Sequence, residues 1–193
     1  MARILALQGS PRVQGNTRAV LDFVLEGATA AGAVADVIDL IGLKHLSGCR
    51  ECFACQGQDD APGCAVDDDM QLVLRQTLAS DVLVLATPVF CWSPSWVLKM
   101  ALDRLYCMFK FGDDGQVRCL LEGQAVAGVI TAGGGNNDGA DLVEETCRRM
   151  ARYSGARWLG AFVAPNLKGP VAVRGDHALA ERARAFGRQI ARA

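Results

Sequence analysis

The chain has 193 residues, 51% of them hydrophobic, and a formal net charge of −1 from 20 Lys and Arg against 21 Asp and Glu. That composition excludes intrinsic disorder, and the balanced charge lacks the basic excess that nucleic-acid or anionic membrane binding needs. A chain this long buries roughly 70% of its unfolded surface on folding, so the eight cysteines are not needed as disulfide staples. They read instead as metal ligands, redox groups or core residues in a reducing compartment.

Short apolar runs alternate with helical patterns along the chain. The first strand is expected at 4–8, directly after Met1-Ala2-Arg3. Its apolar run is far too short for a signal peptide, and none approaches the ~18 apolar residues of a membrane span, so a cytoplasmic protein with no membrane partner is expected. Val20, Leu21, Val24, Leu25 and Ala28 then recur at helical spacing. A second strand follows at 35–40, a helix through Met70, Val73, Leu74 and Leu78, and a third strand at 82–87. That strand reads Val-Leu-Val-Leu-Ala, apolar without alternation, as a strand buried on both faces does. A helix at 97–105, with Trp96 at its start expected in the core, precedes strands at 125–132 and 158–164, with a helix at 142–153 between them. The last helix places Leu179, Ala183, Phe186 and Ile190 on one face, leaving Arg182, Arg184, Arg188 and Arg192 as a solvated face. Five strands and five helices in alternation predict one doubly wound α/β domain over 1–193. Two segments break the rhythm: a cysteine-rich loop at 44–69 and an insertion at 107–123.

Ligands of such folds bind beyond the carboxyl ends of the strands. There the first strand runs into Gly9-Ser10-Pro11-Arg12-Val13-Gln14-Gly15-Asn16-Thr17 and then a helix. Ser10 and Thr17 offer hydroxyls, Asn16 an amide and Arg12 a guanidinium, while the helix start offers free N–H groups, a set suited to phosphate. The loop ends in neither Gly-Lys-Ser/Thr nor Gly-x-Gly-x-x-Gly, which argues against an NTPase loop and a dinucleotide fingerprint.

Cys49, Cys52, Cys55 and Cys64 form a C-x2-C-x2-C-x8-C array. Four thiolates at this spacing suit a [4Fe–4S] cluster or a tetrahedral zinc, and free or transiently disulfide-bonded thiols are the third alternative. Cys91, Cys107, Cys119 and Cys147 are scattered, with Cys147 expected in the core. Asp59, Asp60, Asp67, Asp68 and Asp69 read as solvated or helix-capping. His45 and His177 read as surface residues.

Gly9-Ser10-Pro11-Arg12-x-x-Gly15-Asn16-Thr17, the cysteine array, Asp67-Asp68-Asp69-Met70, Thr87-Pro88-Val89-Phe90, Asp103-Arg104 and Thr131-Ala132-Gly133-Gly134 occur in that order over nearly the whole chain. Together they resemble the flavodoxin-like NAD(P)H-dependent FMN reductases and iron–sulfur flavoproteins. The resemblance implies a five-stranded parallel sheet of order 2-1-3-4-5. It implies an FMN phosphate held by Ser10, Arg12, Gly15, Asn16 and Thr17. The ring would lie against Pro88, Val89, Phe90, Cys91, Trp92 and Ser93, with Thr131, Gly133 and Gly134 as the third flavin loop. Cys91-Trp92 stands where these proteins commonly have an aromatic-glycine pair. NAD(P)H is then the hydride donor to bound FMN, and the acceptor is a small molecule such as a quinone, free flavin or nitro compound. No side chain is assigned as general acid or base, because the flavin carries the chemistry. One alternative is an iron–sulfur flavoprotein with a [4Fe–4S] cluster on Cys49, Cys52, Cys55 and Cys64, taking electrons from a ferredoxin-type redox protein. Another is a nonenzymatic redox-sensing module. A homodimer or homotetramer is implied, with Tyr106, Phe109 and Phe111 as apolar surface.

Overall fold

The computed structural model describes all of residues 1–193. Five parallel strands, β1 (Arg3–Gln8), β2 (Val34–Asp39), β3 (Val82–Phe90), β7 (Ala125–Thr131) and β8 (Arg157–Ala164), form a sheet of order β2-β1-β3-β7-β8. Counted among the parallel strands alone, this is the expected 2-1-3-4-5. Side chains alternate across it: Leu5, Leu7, Leu83 and Leu85 enter one core layer, and Ile4, Ala6, Val82 and Val84 the other. Helices α2 (Met70–Ala79), α3 (Trp96–Arg104) and α4 (Asp141–Tyr153) cover the first layer, and α1 (Asn16–Ala30) and α5 (His177–Ile190) the second. Cys147 is fully buried on α4, as expected. No helix is long and apolar enough to cross a membrane.

The α1–α5 contact is made backbone to backbone. A Cβ on Gly27 would stand 2.0 Å from the Arg184 carbonyl oxygen, and one on Gly187 1.9 Å from that of Val24. Only glycine permits this approach. Arg184, expected on a solvated face, ties the pair further. It meets Glu26 at 2.8 Å, and its guanidinium stands 5.1 Å from the Phe23 ring centre.

Three features depart from simple alternation. Beyond the expected strand end, β3 continues to Phe90, turns through Cys91 and Trp92, and returns as the short antiparallel β4 (Ser93–Pro94). Both turn residues have positive φ, 48° and 58°, the backbone of a type I′ hairpin turn. Trp96, expected in the core, is 59% exposed. As the first residue of α3 it lies off the face that buries Val97, Leu98 and Ala101.

The third departure is that the two irregular segments belong together. Residues 107–123 contain a hairpin of β5 (Phe109–Phe111) and β6 (Val117–Cys119). The cysteine loop docks on it: Gln56 Nε2 donates to Phe109 O at 3.0 Å, and Phe111 N–H donates back to Gln56 Oε1 at 3.2 Å. Lys110 Nζ and Arg118 Nη2 donate to the carbonyls of Cys55 and Asp59, each at 2.7 Å.

Candidate functional site

A cavity of about 350 Å³ opens at the carboxyl ends of β1, β3 and β7, within the ~300–1,000 Å³ range of small-molecule sites. The first loop contributes Ser10, Arg12, Gly15, Asn16 and Thr17, all expected from the sequence. Gly15 starts α1 with no side-chain cap and no acidic residue in the first turn, so the helix N–H groups are available to an anion. Arg12 is the only ionisable side chain among the lining residues, which gives the cavity a positive bias.

Hydrogen bonds set the loop's shape. Arg12 N–H donates to Ser10 Oγ at 3.1 Å, and Ser10 N–H donates to Gln8 Oε1. Thr17 and Thr131 share a hydroxyl–hydroxyl bond of 2.7 Å. Asn16 reaches the cavity wall, but both ends of its amide are engaged: Nδ2 donates to Gly169 O at 2.8 Å, and Oδ1 accepts from Val173 N–H at 3.3 Å. Asn16 therefore acts as a tether for the segment after β8 rather than as a free donor.

Pro88, Val89 and Phe90 form the apolar wall from β3, and Thr131 and Gly133 complete the third side. Cys91, Trp92, Ser93 and Gly134, also expected here, do not line the cavity. The hairpin turn carries Cys91 and Trp92 outward, where Trp92 is 63% exposed and its indole N–H donates to Asp138 Oδ1 at 3.2 Å. A Cβ on Gly134 would meet the Asp138 carboxylate at 2.1 Å, so this glycine makes room for Asp138 rather than for a ligand.

Leu167, Gly169 and Pro170 line the cavity without having been expected. Leu167 N–H donates to Ala132 O at 2.9 Å and Asn166 N–H to Gly134 O at 2.8 Å. The Gly169-Pro170 turn signal just after the last strand was the available clue.

Helix α3 connects this cavity to the cysteines. At its start, Ser95 caps the helix by accepting from Leu98 N–H at 3.2 Å. Ser95 also donates its hydroxyl to Gly9 O, and its own N–H donates to Thr87 Oγ1 at 2.9 Å. At its end, nine residues on and about 13.5 Å away at 1.5 Å per residue, stands Arg104. This residue is 1% exposed. Its Nη1 donates to Asp68 Oδ2 at 2.6 Å and its Nη2 to Asp68 Oδ1 at 3.0 Å, and Nη2 also reaches Cys64 Sγ at 3.3 Å. Burial pushes the Asp68 carboxyl up, but the guanidinium and the N–H groups of Ser47 and Met70 outweigh it and hold the group below its ordinary value. Asp68, read from sequence as solvated or capping, is thus half of a buried ion pair.

Cys49, Cys52, Cys55 and Cys64 line one pocket, with Arg104 and Cys107 in its wall. Positive φ at Glu51 and Phe53 turns the backbone between the first three cysteines. Three of the four sulfurs accept an N–H: Cys49 from Glu51 N at 3.5 Å, Cys55 from Gln56 Nε2 at 3.4 Å, and Cys64 from Arg104. No three His, Cys, Asp or Glu groups are gathered tightly enough to hold a single metal ion. His45 and His177 are exposed and line neither pocket.

A family model for NADPH-dependent FMN reductase matches residues 2–167. The chain belongs to that family. Among curated relatives, this FMN reductase family member is 31% identical over 102 residues to an iron–sulfur flavoprotein of Methanosarcina thermophila, covering 53% of this chain and 51% of that one. It is 27% identical over 144 residues to an iron–sulfur flavoprotein of Methanocaldococcus jannaschii, covering 75% and 68%. The chain thus spans about half the length of the first of these relatives. Solved structures share its fold. An FMN-dependent NADH-azoreductase of Bacillus anthracis in complex with FMN superposes with a TM-score of 0.72 at 16% identity, covering 100% of this chain and 98% of that one. An NAD(P)H:quinone oxidoreductase of Methanothermobacter marburgensis gives 0.71 at 18%, covering 99% and 98%.

The residues present fit FMN. Arg12, the Ser10 and Thr17 hydroxyls and the uncapped start of α1 suit its phosphate, and Val89 and Phe90 offer an apolar face to its ring. The four cysteines share a cavity of only about 20 Å³ and no three ligand-type side chains are gathered to hold a metal ion, so as placed they do not fit a metal or a cluster.

Proposed function

We propose that the protein is an FMN-dependent NAD(P)H oxidoreductase that passes reducing equivalents to a small acceptor such as a quinone, a free flavin or a nitro compound. The observation that carries this is the cavity, which combines an anion-binding loop at an uncapped helix start with an apolar wall and a single ionisable side chain. FMN, when bound, supplies the acceptance of a hydride from the nicotinamide and its delivery onward. The protein's share is position and charge. Arg12 and the α1 N–H groups balance the phosphate, and Thr17, held by Thr131, fixes the loop against the end of β7. Val89 and Phe90 keep water from one face of the site. No lining side chain offers a carboxylate, imidazole or thiol, so proton delivery to product falls to solvent.

The test is anaerobic titration of the FMN-loaded protein with NADPH and NADH, followed at the flavin absorption band, then exposure to each acceptor class. Bleaching by either nicotinamide and recovery on a quinone, flavin or nitro compound supports the reading. A bound flavin that neither nicotinamide bleaches would instead point to a redox-sensing module.

The spacing of the four cysteines and the curated relatives named iron–sulfur flavoproteins support a second reading, that of an iron–sulfur flavoprotein exchanging single electrons with a ferredoxin-type redox protein. A tetrahedral zinc requires its four sulfurs to converge to roughly 3.8 Å from one another, given Zn–S bonds of about 2.3 Å. A [4Fe–4S] cluster would be held by Cys49, Cys52, Cys55 and Cys64 as thiolates and would supply single-electron transfer, and the loop as placed would have to open to admit it. Iron and acid-labile sulfide assays on anaerobically prepared protein decide between cluster, zinc and free thiols. Of the apolar surface expected from Tyr106, Phe109 and Phe111, Phe109 is buried in the core and Phe111 is exposed; Phe111 together with exposed Phe90, Trp92 and Trp96 favours self-association as a homodimer or homotetramer.

A further inference from the structure

Asn16 stands in the phosphate loop yet offers a phosphate nothing, because both ends of its amide hold the segment after β8. What this tether secures is Arg174. Val173, buried next to it, donates its N–H to Asn16 Oδ1, and Arg174 N–H donates to Val171 O at 3.1 Å, closing a turn. The Arg174 side chain thereby lines a groove of about 380 Å³ beside the phosphate loop. Gly15 lines both this groove and the flavin cavity, so the two share a wall. Gln14, Arg18 and Asp22 complete the polar lining. Arg18 donates Nε to Asp22 at 2.7 Å and Nη1 to Asp39 at 3.1 Å, so both acids are already engaged. Arg174 is exposed and takes part in none of the chain's ion pairs. Since Arg18 offsets Asp22, the one carboxylate in the lining, Arg174 leaves the groove positive.

We propose that this groove receives the 2′-phosphate end of NADPH, and that Arg174 is the residue that distinguishes NADPH from NADH. The proposal rests on the oxidoreductase reading above and adds to it the choice of hydride donor. The two dinucleotides differ only in that phosphate, a monoester with close to about two negative charges at neutral pH. The flavin cavity has a single cationic side chain, Arg12, to answer the FMN phosphate. A second phosphate monoester calls for a second cation, and Arg174 supplies it on the other side of Gly15. A free guanidinium fork meets two phosphate oxygens at once, whereas the 2′-hydroxyl of NADH presents it with no charge. Asn16 then has a purpose that a phosphate ligand would not give it. It fixes the segment carrying Arg174 to the loop that faces the flavin phosphate, so one anchor serves donor and flavin.

The experiment compares the FMN-loaded full chain with Arg174→Ala and Arg174→Lys in two readouts. Calorimetric titration with 2′,5′-ADP and 5′-AMP reports binding without turnover. Stopped-flow bleaching of the flavin band by NADPH and NADH gives the Kd and the limiting rate separately. Wild type is expected to bind 2′,5′-ADP more tightly than 5′-AMP, and NADPH more tightly than NADH, each by roughly tenfold or more. In Arg174→Ala the affinities for NADPH and 2′,5′-ADP are expected to fall roughly tenfold. NADH, 5′-AMP, the limiting rate and FMN occupancy are expected to stay as in wild type. Arg174→Lys keeps the charge without the fork and is expected to fall between the two. The preference for NADPH is expected to narrow as salt is raised, because the contact is exposed. An unchanged NADPH affinity in Arg174→Ala, an equal loss for NADPH and NADH, or a wild type that prefers NADH overturns the proposal. So does a loss of FMN, which would assign Arg174 to the flavin phosphate. Each of these leaves the oxidoreductase reading standing, whereas a wild-type flavin that neither nucleotide bleaches overturns both.

Discussion

Thr17 at the start of α1 and Thr131 at the end of β7 stand 114 residues apart in the chain and share a buried 2.7 Å hydroxyl–hydroxyl hydrogen bond. Both side chains line the cavity, so the bond fixes the first loop against the third. Thr131→Val removes the partner of the Thr17 hydroxyl at nearly constant volume. A lost hydrogen bond of this kind costs about 0.5–1.5 kcal/mol. The Kd for FMN, measured by quenching of flavin fluorescence on titration with apoprotein, is expected to rise roughly 2- to 13-fold by the same conversion. An unchanged Kd would show that the loops hold their relation without this bond.

Arg12 is the one ionisable lining group and is solvent-exposed. Hydrogen bonds to charged groups contribute about 1.5–3 kcal/mol, so Arg12→Ala is expected to weaken FMN binding by roughly one to two orders of magnitude. Riboflavin, which has no phosphate, serves as the control. Its affinity is expected to be the same for Arg12→Ala and wild type, and an equal loss for both flavins would move Arg12 away from the phosphate.

The Arg104–Asp68 pair has side chains only 1% and 6% exposed. Removing one partner of such a pair leaves an unbalanced buried charge and costs about 3–5 kcal/mol. Asp68→Asn is expected to lose that much in urea unfolding. The pH dependence follows from the direction of the Asp68 shift. Its folded value lies below the ordinary 3.8, so its stabilising contribution is complete at neutral pH. That contribution is lost as pH falls below about 5 and through the folded value. In Asp68→Asn this part of the acid dependence should disappear, and a variant with the wild-type acid profile would assign it to other carboxylates.

Thiol chemistry separates the cysteines. Burial, reinforced for Cys107 by the neighbouring Cys64 and Cys55 thiols, pushes Cys107 and Cys147 up to about 12. Burial also raises Cys119. Since the thiolate is the nucleophile, these three should resist iodoacetamide at neutral pH until the chain is unfolded. Exposed Cys91, Cys49 and Cys52 should react first. Peptide mass spectrometry reads the order, and early labelling of Cys147 would contradict its burial.

The parallel strands were legible because each is a local run: the unbroken Val-Leu-Val-Leu-Ala of β3 states in five residues that both its faces are covered. The first loop was legible for the same reason, since Ser10, Arg12 and Thr17 lie within eight positions of one another. What escaped depends on partners far along the chain. Asp68 reads as one more acid in an acidic run until Arg104 is brought to it from 36 residues away. Lys110 is buried because the cysteine loop, 55 residues away in the chain, closes over it. Leu167 and Gly169 reach the cavity because β8 ends beside β7, a neighbour relation of the sheet rather than of the sequence. Trp92 was misplaced by a turn whose positive φ values neither residue type announces.

Gly27 and Gly187 have a consequence at a distance. Helix α1 is a rigid rod whose first turn faces the cavity and whose far end lies backbone to backbone on α5. One methyl group at either glycine must push the rods apart or bend them, at about 1–3 kcal/mol, and a rod displaced at one end tilts at the other. The aim of the N–H groups toward a bound phosphate is therefore calibrated by two absent side chains on the opposite side of the molecule.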